Sequence, residues 1–459
     1  MPEIGLIYAV GVLVLGAGAL WLGWRLPTGL LLLALAALAI RPQIYFGAPD
    51  VGVGWGLHQT LLLVALLVNA AKHGLRKTIN WPILALAAVF ALNLAFAELD
   101  PKVKPVLMAS AFGVLALPWA FTQVVLAPGS RRVLALTIAS LAILSVAIEA
   151  VLALQGMREF FDWRLQGMTG NAAVFALLAF TGFAVALHES TRRGRPFLGV
   201  LAAVNLALVV LSATRMAIFT SALFLAVYLV ASPALREQWR NRWVEVSIGA
   251  GLVLAAVWYY WPMLRRRAFE SGGDGIRLSG RDQIWPFYYD QFLMSPVFGR
   301  GLGAGFVGAL YQLDFDVPTP HNEYLHLLVV GGVVGAAACF VAIILWSRQL
   351  WRAAAANDRS FLLALAPALA TYAIIDNVLI YATGLALFAY LGVLLTRSAP
   401  GLEGEFAGRR RRSSSRSGKQ SRSSREQRRQ ASRRCLRARG SGHCRRDQWP
   451  RAGASCSAA

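Results

Sequence analysis

Four cations and a histidine stand where the chain could do chemistry beyond packing. His321 lies in Pro320-His321-Asn322-Glu323-Tyr324-Leu325-His326, at the start of an apolar run and just after the helix-disfavouring Pro318 and Pro320. A neutral imidazole can take a proton from a hydroxyl group, which is the task of a general base. The plainer reading is a histidine satisfied at a membrane boundary. Asn322 and Glu323 follow it as supporting residues, suited to cap a helix and to complement its positive N-terminal end. Arg215 lies in the short turn Ser212-Ala213-Thr214-Arg215, where a charge at a helix end must find water or a partner. Snorkelling to the interface is its plainer reading. Arg281 sits in Ser279-Gly280-Arg281-Asp282, and Arg300 sits in the glycine-rich run Phe298–Phe306, with Arg277 as a further supporting cation. Guanidinium groups suit a diphosphate, which they grip through paired hydrogen bonds. The glycines of 299–305 would let backbone N–H groups nest an anion, but their spacing is not that of a phosphate loop, so a flexible connector is the preferred reading there.

The elements that must position these residues are membrane helices. Of 459 residues, 57% are hydrophobic and 15% charged, and apolar runs of about the length needed to cross a bilayer recur along the chain. Segment 80–97 is apolar all round, unlike a helix on the surface of a water-soluble domain. The expected fold is an all-α, polytopic membrane bundle of about 12–13 spans. Its candidate spans are 5–22, 27–40, 55–71, 80–97, 104–126, 133–154, 170–187, 196–212, 215–231, 244–262, 323–346, 360–376 and 378–396. The first run lacks a basic leader and a small-residue cleavage site, and is read as a span. Arg and Lys cluster in alternate loops, among them Lys72, Arg76 and Lys77; Arg131 and Arg132; Arg192, Arg193 and Arg195; Arg236, Arg240 and Arg242; and Arg348, Arg352 and Arg359. The positive-inside rule turns these loops to the cytoplasm. The loops at 41–54, 98–103, 156–169, 213–215 and 263–322 then face outward, so Arg215, Arg281, Arg300 and His321 share one membrane face.

Within the long loop 263–322, Ile284-Trp285-Pro286-Phe287-Tyr288-Tyr289 and Phe292 read as an amphipathic helix near the interface. Before the loop, Trp258, Tyr259, Tyr260 and Trp261 would anchor a helix end among headgroups. Three parts follow: N-terminal spans over 1–130, a core over 131–400, and a tail over 401–459. The tail holds 16 Arg and one Lys against four acids, which is +13 of the formal +22. It is expected to be disordered. Contact with anionic headgroups, nucleic-acid binding without any folded module to support it, and a shifted reading frame remain as readings, and nucleic acid is the least favoured. Cys435, Cys444 and Cys456 fall in the tail and Cys339 in a span, so neither a disulfide framework nor a structural metal is expected.

These features together resemble the O-antigen ligase superfamily. The likeness rests on many spans, an Arg in a short outward turn, a Gly-Arg element in a large outward loop, and Pro320-His321-Asn322 with Leu325 leading into Gly331, Gly332 and Gly335. It extends over roughly 130–400. The resemblance implies a metal-independent glycosyltransferase of the bacterial inner membrane, without a cofactor. Its donor would be an oligosaccharide on undecaprenyl diphosphate and its active face periplasmic. Arg215 and Arg281, with Arg300 in support, would hold the diphosphate, and His321 would orient or deprotonate the acceptor hydroxyl. Ala153-Leu154-Gln155 and Gly170-Asn171-Ala172-Ala173 look like the branch that glycosylates pilins, although the Pro-Asn-His usual after that Gly-Asn element is missing. Pilin or another exported protein is therefore the expected acceptor. Lipid A core ligation and O-antigen polymerisation are the alternatives with the same donor. A lipid-linked sugar transporter is the alternative of a different class. It is disfavoured because no paired intramembrane charges are legible, Glu149 being an isolated deep carboxylate.

Overall fold

The computed structural model describes residues 130–156, 164–269, 281–301, 320–378 and 384–397, with isolated positions between 29 and 88. All of them belong to the first of two compact units, Met1–Ser398 and Ala399–Ala459. The five candidate spans before 130 fall largely outside the described residues, as do Arg277, most of the glycine-rich run and the basic tail. The described positions Leu31, Leu35 and Ala65 are nonetheless buried in the same apolar core as the later helices.

Among the described residues every regular element is helical. The helices are α1 (Ser130–Leu154), α2 (Ala172–Arg193), α3 (Pro196–Leu211), α4 (Arg215–Ala231), α5 (Pro233–Asn241), α6 (Trp243–Phe269), α7 (Arg281–Leu293), α8 (Glu323–Ala353), α9 (Ala356–Ile375) and α10 (Gly384–Arg397). Four of them, α1, α2, α8 and α9, are long and apolar enough to cross a membrane, while α4 and α5 pass that test together across a 96° bend. The molecule is a helical membrane bundle. Helices α1, α2, α3, α4, α6, α8 and α9 lie at seven of the expected span positions, and α10 overlaps the last of them, 378–396.

Local signals set the helix ends. Asn171 caps α2 by accepting hydrogen bonds from the N–H groups of Ala173 (2.8 Å) and Val174 (3.3 Å). Gly194 closes the helix in the left-handed conformation, φ 64°, which costs a glycine nothing sterically. Pro233 sits in the first turn of α5 behind the Ser232 cap, and the bend falls at that junction. Helix α2 is the hub, with 94% of its most apolar window buried inside the protein. It packs against α1 and α3, α3 packs against α6, and α4 packs against α9.

Charges stand paired at the arginine-rich end of the bundle, near the helix ends. The Glu189 carboxylate, 1% exposed, accepts from Arg131 Nε at 3.0 Å and Tyr390 Oη at 2.9 Å, and it also pairs with Arg193. Asp358 lies 3.5 Å from Arg131 and 2.9 Å from His188 Nε2, and His188 Nδ1 meets the Tyr228 hydroxyl at 3.0 Å. This network ties α1, α2, α4, α9 and α10 together at one end. Removing one member of a buried ion pair strands the others, at a cost of roughly 3–5 kcal/mol. Glu189→Ala is therefore expected to lower the thermal midpoint of the purified protein by many degrees, with α1 and α10 loosened first in hydrogen exchange. An unchanged midpoint would remove the network as a fastening.

The glycine-rich run is neither a loose connector nor an anion nest in its described part. Helix α8 breaks at Gly332 (φ 60°, ψ −166°), and the freed backbone groups are taken up by 296–301. The N–H groups of Arg300 and Gly301 donate to the carbonyls of Val329 (2.8 Å) and Val330 (3.0 Å), while those of Val333 and Val334 donate to Pro296 (2.8 Å) and Val297 (3.1 Å). Broken helices are tolerated in a bilayer where other protein satisfies the backbone. A Cβ on Gly332 would overlap the Val297 carbonyl, and one on Gly299 would overlap that of Val330. The conformation of Gly332 alone would cost another residue about 1–3 kcal/mol. Gly332→Ala is expected to reduce folded protein severalfold on size-exclusion analysis. Gly251→Ala, whose added Cβ meets nothing within 4 Å, is expected to be neutral.

Candidate functional site

The end of the bundle opposite the charge network gathers most of the candidate residues around one turn of chain, the C-terminal end of α9. Arg281, the first residue of α7, points its guanidinium at the Ile375 carbonyl, donating from Nε at 3.0 Å and from Nη2 at 2.8 Å. The next residue, Asp376, accepts from the imidazole of His321, with Nδ1 3.0 Å from Oδ1. Arg215, the first residue of α4, lies near enough to Arg281 for the two positive charges to repel. Arg281, Asp376 and Arg164 all act electrostatically on the buried Tyr372, whose hydroxyl donates to the Ala173 carbonyl at 3.2 Å.

The sequence folds this way for local reasons. Asn322 caps α8, its Oδ1 accepting from the Leu325 N–H at 3.0 Å, and so fixes the start of the helix just after His321. Glu323, 4% exposed, reaches across to accept from the Val378 N–H at 2.8 Å, stapling the start of α8 to the chain beyond α9. Trp285 holds the approach to His321 from the other side, donating from Nε1 to the Pro320 carbonyl at 3.0 Å. Helix α7 itself lies on α8, with Ile284 and Tyr288 buried against Val329 and with Phe287, Phe292 and Leu325 around them. The loop helix is present as expected, with Tyr289 and Leu293 left exposed. Burial pushes the Tyr288 phenol up, so it stays protonated and acts in packing.

Two described residues other than glycine have left-handed backbones, Ala213 (φ 50°) and His321 (φ 47°). Both stand in this region, one in the turn before Arg215 and the other beside Asp376. Such conformations cost of order 1–3 kcal/mol and collect at functional sites, where surrounding contacts over-determine them. The turn at 212–214 shows those contacts. Arg164 donates to the Ser212 carbonyl at 3.0 Å and to Thr214 Oγ1 at 2.9 Å, and Leu165 N–H donates to the Leu211 carbonyl at 3.1 Å.

The structure thus brings together Arg215, Arg281, His321, Asn322 and Glu323. Arg300 stands apart from these contacts. Its side chain donates to Gln291 Oε1 on α7 and to Met294 Sδ just beyond it, and its backbone joins Val329. Val329 is six residues along α8 from Glu323, roughly 9 Å deeper. Asp376, Arg164 and Tyr372 were not read from sequence as site residues. Asp376 stands beside Asn377 at the end of an apolar run, and nothing local ties it to a histidine 55 positions away.

Beside the cluster a groove of about 450 Å³ opens between α8, α9 and α10. It starts at Glu323 and Val378, is otherwise almost wholly apolar, and runs down α8 to Trp346 and Leu350.

Chemically, a neutral imidazole that donates from Nδ1 to a carboxylate carries its basic lone pair on Nε2. A carboxylate in that position both fixes the ring and stabilises the imidazolium formed when the ring takes a proton. Two nearby guanidinium groups make the same spot favourable for a polyanion. No curated protein matches this chain. Residues 198–340, which run from α3 into α8 and contain Arg215, Arg281 and His321, match the family model described as O-antigen ligase.

Proposed function

We propose that the protein is a membrane glycosyltransferase that moves an oligosaccharide from a polyprenyl diphosphate, undecaprenyl diphosphate in a bacterial inner membrane, to a hydroxyl group at the periplasmic face. The observation that carries this reading is the gathering of Arg215, Arg281 and the His321–Asp376 pair at one end of the bundle. The likeness of residues 198–340 to O-antigen ligases supports it, as does the apolar groove leading away from the cluster, which suits a long hydrocarbon chain.

In this reading the diphosphate lies against Arg215 and Arg281. The acceptor hydroxyl gives its proton to His321 Nε2 as its oxygen bonds to the anomeric carbon. The bond from that carbon to the diphosphate oxygen breaks, and the polyprenyl diphosphate leaves with one more negative charge. Cations fixed where that charge grows favour the transition state over the bound donor. Asp376 steadies the imidazolium through the same step.

The acceptor we propose is Ser or Thr of pilin or of another exported protein. Asn171, part of the Gly-Asn element that suggested this branch, caps α2 in the structure. The test is a deletion strain carrying both acceptors. Pilin of reduced intact mass beside unaltered lipopolysaccharide is expected. Loss of lipopolysaccharide O-chains beside unaltered pilin would move the activity to lipid A core, and shortened O-chains would make it a polymerase. Uptake of lipid-linked sugar without any transfer would replace the enzyme with a transporter.

A further inference from the structure

A second cleft lies at the arginine-rich end, far along the helices from His321. It has a volume of about 390 Å³ and is enclosed by α2, α3, α4, α5 and α6. Its walls are apolar except at the mouth, where Ser190, Gln238 and Arg242 meet. Small residues line it, Gly199 and Ala203 on α3 and Gly249 and Ala250 on α6; a Cβ on Gly199 would meet Ser190 Oγ at 3.5 Å, and α3 and α6 touch where a Cβ on Gly249 would lie 3.2 Å from that of Ala203.

The depth of the cleft is informative. From Arg242 at the mouth to Leu254 on α6 is twelve residues, roughly 18 Å of helix. That is close to one leaflet of hydrocarbon, about half of a ~30 Å core. The groove beside His321 instead follows α8 for most of its length. A cleft one leaflet deep, apolar inside and cationic at the rim, matches a single phospholipid of the near leaflet.

The rim adds the sign of charge. Helix α5 turns 96° away from α4 and so runs across the bundle rather than along it. It buries Leu235 and leaves Arg236 and Arg240 exposed. This is the arrangement of a helix lying in the headgroup layer. Arg242 is fixed at the mouth by donating to the Gly194 carbonyl, and Arg195 follows in the same short link between α2 and α3. Gln238 donates from Nε2 to Ser190 Oγ at 3.1 Å, while its buried Oε1 has no hydrogen-bond partner. The mouth therefore offers guanidinium charge, from Arg242 and the neighbouring Arg195, to a phosphate.

We propose that this cleft is a binding site for one anionic phospholipid of the leaflet at the arginine-rich end, of the phosphatidylglycerol kind, with an acyl chain in the cleft that α2, α3, α5 and α6 wall and its phosphate at Arg242. Basic pockets between helices at this depth suit such headgroups. The lipid would fill the cleft that the small residues line and join α5 to α3 and α6.

Native mass spectrometry of the full chain, released from detergent with equal amounts of phosphatidylglycerol and phosphatidylcholine, tests the site. One retained phosphatidylglycerol per chain is expected, in clear excess over phosphatidylcholine. Arg242→Gln is expected to reduce its occupancy about five- to tenfold. Ala250→Phe, which fills the cleft from an exposed position, is expected to abolish retention while helicity and elution volume stay those of the parent. Equal retention of the two lipids by the parent protein would overturn the proposal, and so would parent-like retention of phosphatidylglycerol in both folded variants. If either variant fails to fold, the comparison of lipids on the parent protein decides.

Discussion

His321→Ala is expected to leave the protein folded and its donor bound, and to lower the rate of glycan transfer by about 10²–10⁴-fold, the usual contribution of a positioned general base. The imidazole is part-exposed and meets the Asp376 carboxylate at 3.0 Å. Neither Asn322, which caps α8, nor Glu323, which staples it to Val378, depends on the ring. Alanine carries the same Cβ that histidine already accommodates in the left-handed backbone at 321, so the substitution adds no steric cost there. Intact-mass measurement of the acceptor, with donor binding measured in parallel, should show kcat reduced and KM for the donor little changed. Asp376→Asn should fall in the same direction by a smaller factor, since an amide can still meet Nδ1 but cannot stabilise the imidazolium. Transfer at parent rates in His321→Ala would eliminate this histidine as the base.

How much of this was legible in the sequence depends on range. Span positions from 130 onward follow from hydropathy alone, because the bilayer fixes the length over which polar residues are excluded. The ends of those spans place Arg215, Arg281 and His321 on one side without any knowledge of packing. The pairing of His321 with Asp376 is a different matter. It needs α8 and α9 to be neighbours and antiparallel, and no local pattern says so. The charge network is hidden for the same reason. Arg131, Glu189 and Asp358 each stand near the end of a helix, where hydropathy reads them as loop charges, and only the packing of α1, α2 and α9 reveals that they are buried together.

The break in α8 is a subtler miss. Gly331 and Gly332 lie inside an apolar run, and an unbroken span over 323–346 is what composition predicts. A glycine in a helix signals possible close approach of another backbone but not which one. The partner here is 296–301, from the glycine-rich run that spacing alone left as a connector. Two glycine-rich stretches of modest interest apart become one device together. It satisfies the backbone groups freed inside α8 and fixes α7, and with it Arg281, relative to the helix that follows His321.

The second large effect concerns the two arginines that approach each other. Guanidinium charge gathered at this end of the bundle favours a polyanion such as the diphosphate of the proposed donor. Arg215→Ala and Arg281→Ala are each expected to lower kcat/KM by about 10²–10³-fold, the scale of losing one preorganised electrostatic donor. Unlike the histidine variant, both should also raise KM for the donor, since the diphosphate is already anionic when it binds. The double variant should lose much less than the product of the single losses, because both groups serve one ligand. Arg281 adds a complication that separates it from Arg215. Two of its donors, Nε and Nη2, are already spent on the Ile375 carbonyl, so it is also a positioning residue for the turn that carries Asp376. Lysine at 281 keeps the charge but cannot reproduce that two-point contact. Arg281→Lys should therefore recover donor binding while transfer stays slow, whereas Arg215→Lys should recover much of both. Donor titrations with the four single variants and the double variant decide this. Parent-like donor affinity in Arg215→Ala and Arg281→Ala would show that the diphosphate lies elsewhere.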